Sequence, residues 1–213
     1  MGAYITNNFF KQTILTFAGL PLLIWAMGNA PERTLLKEAL SLITILSFFQ
    51  MIGQFFWART NKSAVADLKM SKVIKYHKIM GYTFVIILLF HPVFLFVPRF
   101  LEAGIDPADA FITTITTFTS QGVVLGIIAW SLLIILGITS FVRKKLPMEY
   151  KTWRVFHGIL AILFVSVAAW HAIDLGRHSS FPMSLLIIST GVCGILLLMK
   201  AYTFKSIKKT EEV

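Results

Sequence analysis

Over its 213 residues the chain carries 56% hydrophobic side chains, 19 phenylalanines among them, and a mean hydropathy of +0.76. Soluble domains usually stay near about 45–50% apolar, so an integral membrane protein is expected. The formal charge of +10 does not point to nucleic acid, because the basic residues are sorted by loop rather than gathered on one face, and such sorting reports membrane topology.

A helix of about 20 apolar residues spans a bilayer, and six such runs are read along the chain. The first, Thr13–Gly28, ends near Asn29 and Ala30, but Pro31 follows directly and is a poor cleavage context, so a retained helix is expected. A balanced connection with Glu32, Arg33, Lys37 and Glu38 leads to the second run, Ala39–Trp57. Next comes a basic segment, Arg59, Lys62, Lys69, Lys72 and Lys75 against Asp67, and then the third run, Ile74–Val97. The segment Arg99–Gln121 holds Glu102, Asp106, Pro107 and Asp109 and a threonine-rich stretch around Thr113–Thr119. It is expected to be a connection whose threonines satisfy their own backbone, in preference to an interfacial helix.

The fourth run, Gly122–Val142, is followed by Arg143, Lys144, Lys145, Lys151 and Arg154 against Glu149. The fifth, Trp153–Ile173, is followed by Asp174 and Arg177, and the sixth, Met183–Tyr202, runs into a basic tail to which Lys200, Lys205, Lys208 and Lys209 contribute. The positive-inside bias predicts a multi-pass protein of the cytoplasmic membrane, bathed in lipid, with both termini cytoplasmic. The only cysteine, Cys193, rules out an intramolecular disulfide and is read as packing. The expected fold is an all-α, six-transmembrane-helix bundle forming a single domain over residues 1–213.

Four histidines stand in two pairs of equal spacing, His77 with His91 on the third span and His157 with His171 on the fifth. Fourteen residues at about 100° each fall about 40° short of four turns, so both members of a pair share a helix face, roughly 21 Å apart along the axis. One intervening span makes the two helices parallel, so His77 and His157 share a layer at the cytoplasmic end and His91 and His171 share another towards the outer face. An ionisable residue deep in a span is by default a functional feature. Two imidazoles per layer suit a six-coordinate haem iron devoted to electron transfer, and haem sites are therefore expected between the third and fifth helices. Zinc or copper is the competing metal, but ligands fourteen residues apart cannot converge on one small ion, and no carboxylate or thiol stands beside them.

Haem propionates need cations. Lys75, Lys78, Lys151 and Arg154 lie near His77 or His157, with Arg154 beside Trp153 preferred, and Arg99 lies eight residues beyond His91. Each of these is also a plausible snorkelling anchor. Phe84 and Phe164 sit midway between the ligands of their helices and could fill the gap between macrocycles, although core packing is the default for phenylalanine. Gly81 and Gly158 admit either a macrocycle or ordinary helix packing, and Pro92 is positioned to kink the third helix. His178, outside the pattern, is read as a solvated loop residue without a partner.

The run from His77-Lys78-Ile79-Met80-Gly81 through Phe90-His91-Pro92, and the run from Tyr150 through Trp153-Arg154-Val155-Phe156-His157 to Trp170-His171-Ala172, resemble the ferric reductase and NADPH oxidase superfamily, specifically its ferric-reductase-like transmembrane domain. The resemblance covers essentially the whole chain. It implies a two-haem b-type cytochrome that relays electrons from a cytoplasmic donor to ferric iron or oxygen outside, the electron-transfer component of an oxidoreductase. Family enzymes usually continue into a flavin and NAD(P)H domain after the sixth helix, whereas this sequence stops there and holds no nucleotide-binding glycine loop. Flavin and NAD(P)H are thus expected only through a partner, a cytoplasmic flavoprotein reductase, with quinol as the other donor considered. Two further readings stay open: a haem subunit feeding a periplasmic acceptor protein, as in the bacterial methionine sulfoxide reductase system, and a non-redox membrane scaffold or transporter. In the former group the position matching His77 is typically basic, so the full quartet favours the two-haem type.

Overall fold

The computed structural model describes residues 9–58, 61–116 and 120–210; Arg59, Thr117 and Thr119 lie outside the described residues, as do the side chains of Lys205, Lys208 and Lys209. No strand occurs among the described residues. Six helices are long and apolar enough to cross a membrane: α1 (Phe9–Ala26), α2 (Leu35–Gly53), α4 (Met70–Ala103), α6 (Gln121–Phe141), α7 (Tyr150–Leu175) and α8 (Phe181–Thr210). Two short helices, α3 (Lys62–Leu68) and α5 (Pro107–Thr116), lie in the connections. The six apolar helices make this a multi-pass membrane protein. Many large apolar side chains, among them Leu15, Ile86, Phe90, Ile138, Leu163 and Leu196, are exposed on the bundle surface, as a lipid-facing surface requires.

Proline and glycine explain several details. Pro21 has no N–H for the carbonyl of Phe17 four residues back; a π-helical stretch, Leu15–Gly19, precedes it, and the Phe17 carbonyl accepts instead from Gln50 Nε2 at 3.0 Å. That bond ties α1 to α2, where the Phe17 ring lies over Gly53. The third span is longer than its apolar run because α4 continues through Pro92 and Pro98 to Gly104, whose φ of +64° closes the helix, with Gly104 N–H donating to the Phe100 carbonyl and Ile105 N–H to the Arg99 carbonyl. Near Pro92, the Leu89 carbonyl accepts from Trp130 Nε1 at 3.1 Å, a bond that ties α6 to α4.

The core is shared by α2, α6, α7 and α8, with Phe49, Ile52, Leu133, Phe164, Val165 and Ile187 all buried. A smaller cluster of Trp57, Ala64, Leu68 and Val73 seats α3 against the start of α4, and Asn61 caps α3 by accepting from Ala64 N–H. Gly158 is a packing glycine: a Cβ there would stand 2.7 Å from the Tyr202 hydroxyl of α8. Gly158→Ala should overpack this contact at a cost of about 1–3 kcal/mol, read as a lowered thermal midpoint of the purified protein in detergent.

The structure departs from three expectations: Cys193 is exposed on α8 rather than packed, and two further differences lie in the connections. The segment after Arg99 is not simply a connection, because residues Pro107–Thr116 form helix α5. Asp106 accepts from Ala108 N–H at 2.8 Å and Pro107 occupies the first helical position, a favoured start, while Phe111 packs edge-on against Phe96. The Thr113 and Thr116 hydroxyls do bond their own backbone, to the carbonyls of Asp109 and Ile112. Nor is His178 a solvated residue without neighbours. Its ring is 6.0 Å from that of Trp25 and its Nε2 lies 3.1 Å from a Glu38 carboxylate oxygen, an ion-pair distance without hydrogen-bond alignment. The loop after α7 folds back over α1 and α2, so His178 meets residues far away in the sequence.

Candidate functional site

The shared face of α4 and the shared face of α7 meet across the bundle. His77 and His157 bring their ring centroids to 6.4 Å with planes at 68°; His91 and His171 come to 6.5 Å with planes at 70°. The first pair lies at the end of the bundle carrying Lys62, Lys72, Lys75, Arg143 and Lys151, here called the basic end, and the second towards the opposite end. Among the described residues no three of His, Cys, Asp and Glu gather as metal ligands, so the imidazoles meet in twos.

The separation can be tested against a metal. A metal–imidazole bond is about 2.0–2.1 Å and a ring nitrogen stands about 1.1 Å from its centroid, so two imidazoles on opposite sides of one iron hold their centroids about 6.3 Å apart. Both pairs stand close to that distance, at 6.4 and 6.5 Å. Direct hydrogen bonding between rings would bring them closer, and plain packing does not demand the same spacing twice.

Each ring is held from behind, one of them differently. His91 Nδ1 lies 3.3 Å from Thr44 Oγ1 of α2, His157 Nδ1 lies 3.2 Å from Ser140 Oγ of α6, and His171 Nδ1 lies 2.8 Å from the Gly122 carbonyl of α6. Trp153 also stacks on His157 at 4.9 Å and 27°, its own Nε1 donating to the Thr139 carbonyl. His77 is set against the Gln54 backbone carbonyl, and its buried Nδ1 makes no well-aligned hydrogen bond. The close approach of His171 to α6 needs Gly126, where a Cβ would lie 2.7 Å from the imidazole Cε1. Thr44, Ser140 and Gly126 were not singled out from the sequence.

A cavity of about 700 Å³ opens beside His91 and His171, walled by apolar residues such as Phe48, Leu88, Leu133 and Phe164, with Arg33, Lys37, Arg99 and Arg177 also lining it. Apolar walls with a few placed polar groups are typical of cofactor sites, and the cations suit carboxylates. Arg99 is thus placed on the cavity. Phe164 is both buried and cavity-lining, whereas Phe84 packs against the core cluster without lining that cavity. At the basic end, Arg154 has its Nε buried without a partner and its guanidinium 5.7 Å from the Tyr202 ring. A buried guanidinium N–H with nothing to bond is an unmet demand for an acceptor, and a propionate oxygen would satisfy it. Lys78 is exposed on α4, one residue and about 100° round the helix from His77. The histidine spacing, the apolar cavity, the cations and the orphaned Arg154 donor all fit haem.

Comparison with known proteins places these residues in context. The family model for the ferric reductase like transmembrane component matches residues 43–168, a stretch that holds His77, His91 and His157 and ends three residues before His171. An uncharacterized protein of Archaeoglobus fulgidus is 40% identical over 162 residues, covering 76% of this chain and 88% of the relative. No solved structure matches.

Proposed function

Because the chain belongs to the ferric reductase-like transmembrane component family, we propose that it is a two-haem b-type membrane cytochrome, with His77 and His157 holding one haem and His91 and His171 the other. The observation that carries this reading is the repeated centroid separation of 6.4 and 6.5 Å, the spacing of two axial imidazoles on one iron. Bound haem would supply a one-electron couple, and the two histidines of each layer would hold it.

The chain's own residues do the rest. The four imidazoles fix where each iron stands, and the apolar walls from Phe48, Leu88, Leu133 and Phe164 keep water from the metal. Arg154 at the basic end, and Arg99 with Arg33 at the other, neutralise propionates. The positive-inside bias puts the basic end in the cytoplasm. Electrons then enter near His77 and His157, from a flavoprotein reductase or quinol, and leave near His91 and His171 to ferric iron, oxygen or a periplasmic acceptor protein.

The direct test is haem quantification with a reduced-minus-oxidised spectrum of the purified chain. Two b-type haems per chain are expected. One haem per chain sinks the two-site assignment, and a colourless protein expressed with ample haem supply sinks the cytochrome reading and favours a non-redox membrane scaffold.

A further inference from the structure

We propose that Thr44 and Ser140 are positioning residues that set the tautomer of His91 and His157, leaving Nε2 bare for the metal, and that the Gly122 carbonyl does the same for His171. The proposal rests on the two-haem reading above. A serine or threonine hydroxyl has one hydrogen and two acceptor lone pairs. Thr44 Oγ1 donates its hydrogen to the Leu40 carbonyl at 2.8 Å, and Ser140 Oγ donates its own to the Leu136 carbonyl at 2.6 Å. What each hydroxyl turns to the imidazole is therefore a lone pair, and the facing Nδ1 of His91 and of His157 must carry hydrogen. The Gly122 carbonyl can only accept, so His171 Nδ1 carries hydrogen too. In a neutral imidazole the other nitrogen is then unprotonated, which is the state a metal ligand requires.

Serine and threonine bonding back to the fourth residue behind them is common in apolar helices, and by itself it signifies nothing. Here the same side chain does two things at once: its hydrogen is spent within its own helix, and its oxygen reaches a histidine on a different one. The arrangement occurs twice, on α2 and α6, once for each layer.

His77 is held differently: its Nδ1 makes no well-aligned hydrogen bond, and its ring sits against the Gln54 backbone carbonyl. The two layers are consequently unequal. Both ligands of the His91 and His171 layer are braced by regular hydrogen bonds, but only His157 is so braced in the other. A ligating histidine that donates from its second nitrogen is the more basic ligand; it favours ferric over ferrous iron and lowers the potential. Removing the acceptor should raise it.

The experiment is a potentiometric titration of the purified haem-loaded protein, with low-spin ferric EPR as a second readout. His91→Ala identifies which potential belongs to which layer. Thr44→Val keeps the shape and removes the acceptor; it should favour reduction of the His91 and His171 haem about tenfold, a rise of about 59 mV for a one-electron couple, and leave the other potential unmoved. Thr44→Ser should restore the parent value. Ser140→Ala should move the other haem in the same sense, and it carries the test if Thr44→Val does not retain its haem. Two haems with both potentials and EPR signals unmoved in Thr44→Val or in Ser140→Ala would overturn the proposal while leaving the cytochrome reading intact. A parent chain that takes up no haem overturns that reading, and the proposal with it.

Discussion

Replacing His91 by alanine should halve the haem bound per chain and abolish transfer to an outer acceptor, while the spectrum of the His77 and His157 site survives. The expectation follows from the pairing geometry: His91 faces only His171 across its layer, at 6.5 Å, and one imidazole cannot hold a six-coordinate iron from both sides. Reduction of the remaining haem by dithionite should still be complete, since that layer keeps both ligands. Haem content by pyridine haemochrome, with electron delivery across proteoliposomes, separates the outcomes. Unchanged haem content removes His91 from the ligand set. Loss of both haems shows that the layers do not assemble independently.

A second large effect is expected at a residue that touches no metal. Gly126→Val should strip the haem from the same layer, or weaken its binding by at least the 10–100-fold typical of disturbed ligand support, about 1.4–2.7 kcal/mol. A Cβ at this position would meet His171 Cε1 at 2.7 Å and Nδ1 at 2.8 Å. The ring cannot retreat without giving up its bond to the Gly122 carbonyl. Gly137→Ala, on the same helix, is the matched control, because its Cβ would meet only the Val85 side chain at 3.2 Å. If Gly137→Ala keeps two haems and Gly126→Val also does, the imidazole does not depend on this contact with α6.

Why were the four histidines legible in the sequence and their supports not? A fourteen-residue spacing within an apolar run is a statement about one helix, and helix geometry alone converts it into a shared face. Chain alternation then pairs His77 with His157 and His91 with His171, and the rings do lie opposite one another in that order. Thr44 is another matter. It acts on a residue 47 positions away, through the way α2 rotates against α4, and no periodicity in either helix encodes that rotation. Gly122 and Gly126 look like ordinary small residues of an apolar helix until the neighbour is known. The six spans were readable from hydropathy, but the length of α4 was not, because its last turns depend on Gly104 rather than on apolar content. Helix α5 did leave a local signal in Asp106 and Pro107, which the threonines beside it obscured.

The division of each histidine pair between α4 and α7 also bears on how the protein is made. His77 and His157 are 80 residues apart in the chain, an interval of about 4–16 s at ordinary synthesis rates of 5–20 residues per second. During that time α1, α2, α4 and α6 have emerged without a partner for either histidine of α4. The early spans must therefore hold together by their own contacts, such as Gln50 on the Phe17 carbonyl and Trp130 on the Leu89 carbonyl. Only when α7 arrives can anything be clamped between the two helices, so on the two-haem reading cofactor loading would be a late event in biogenesis, and truncation before α7 would leave a chain with half of each histidine pair.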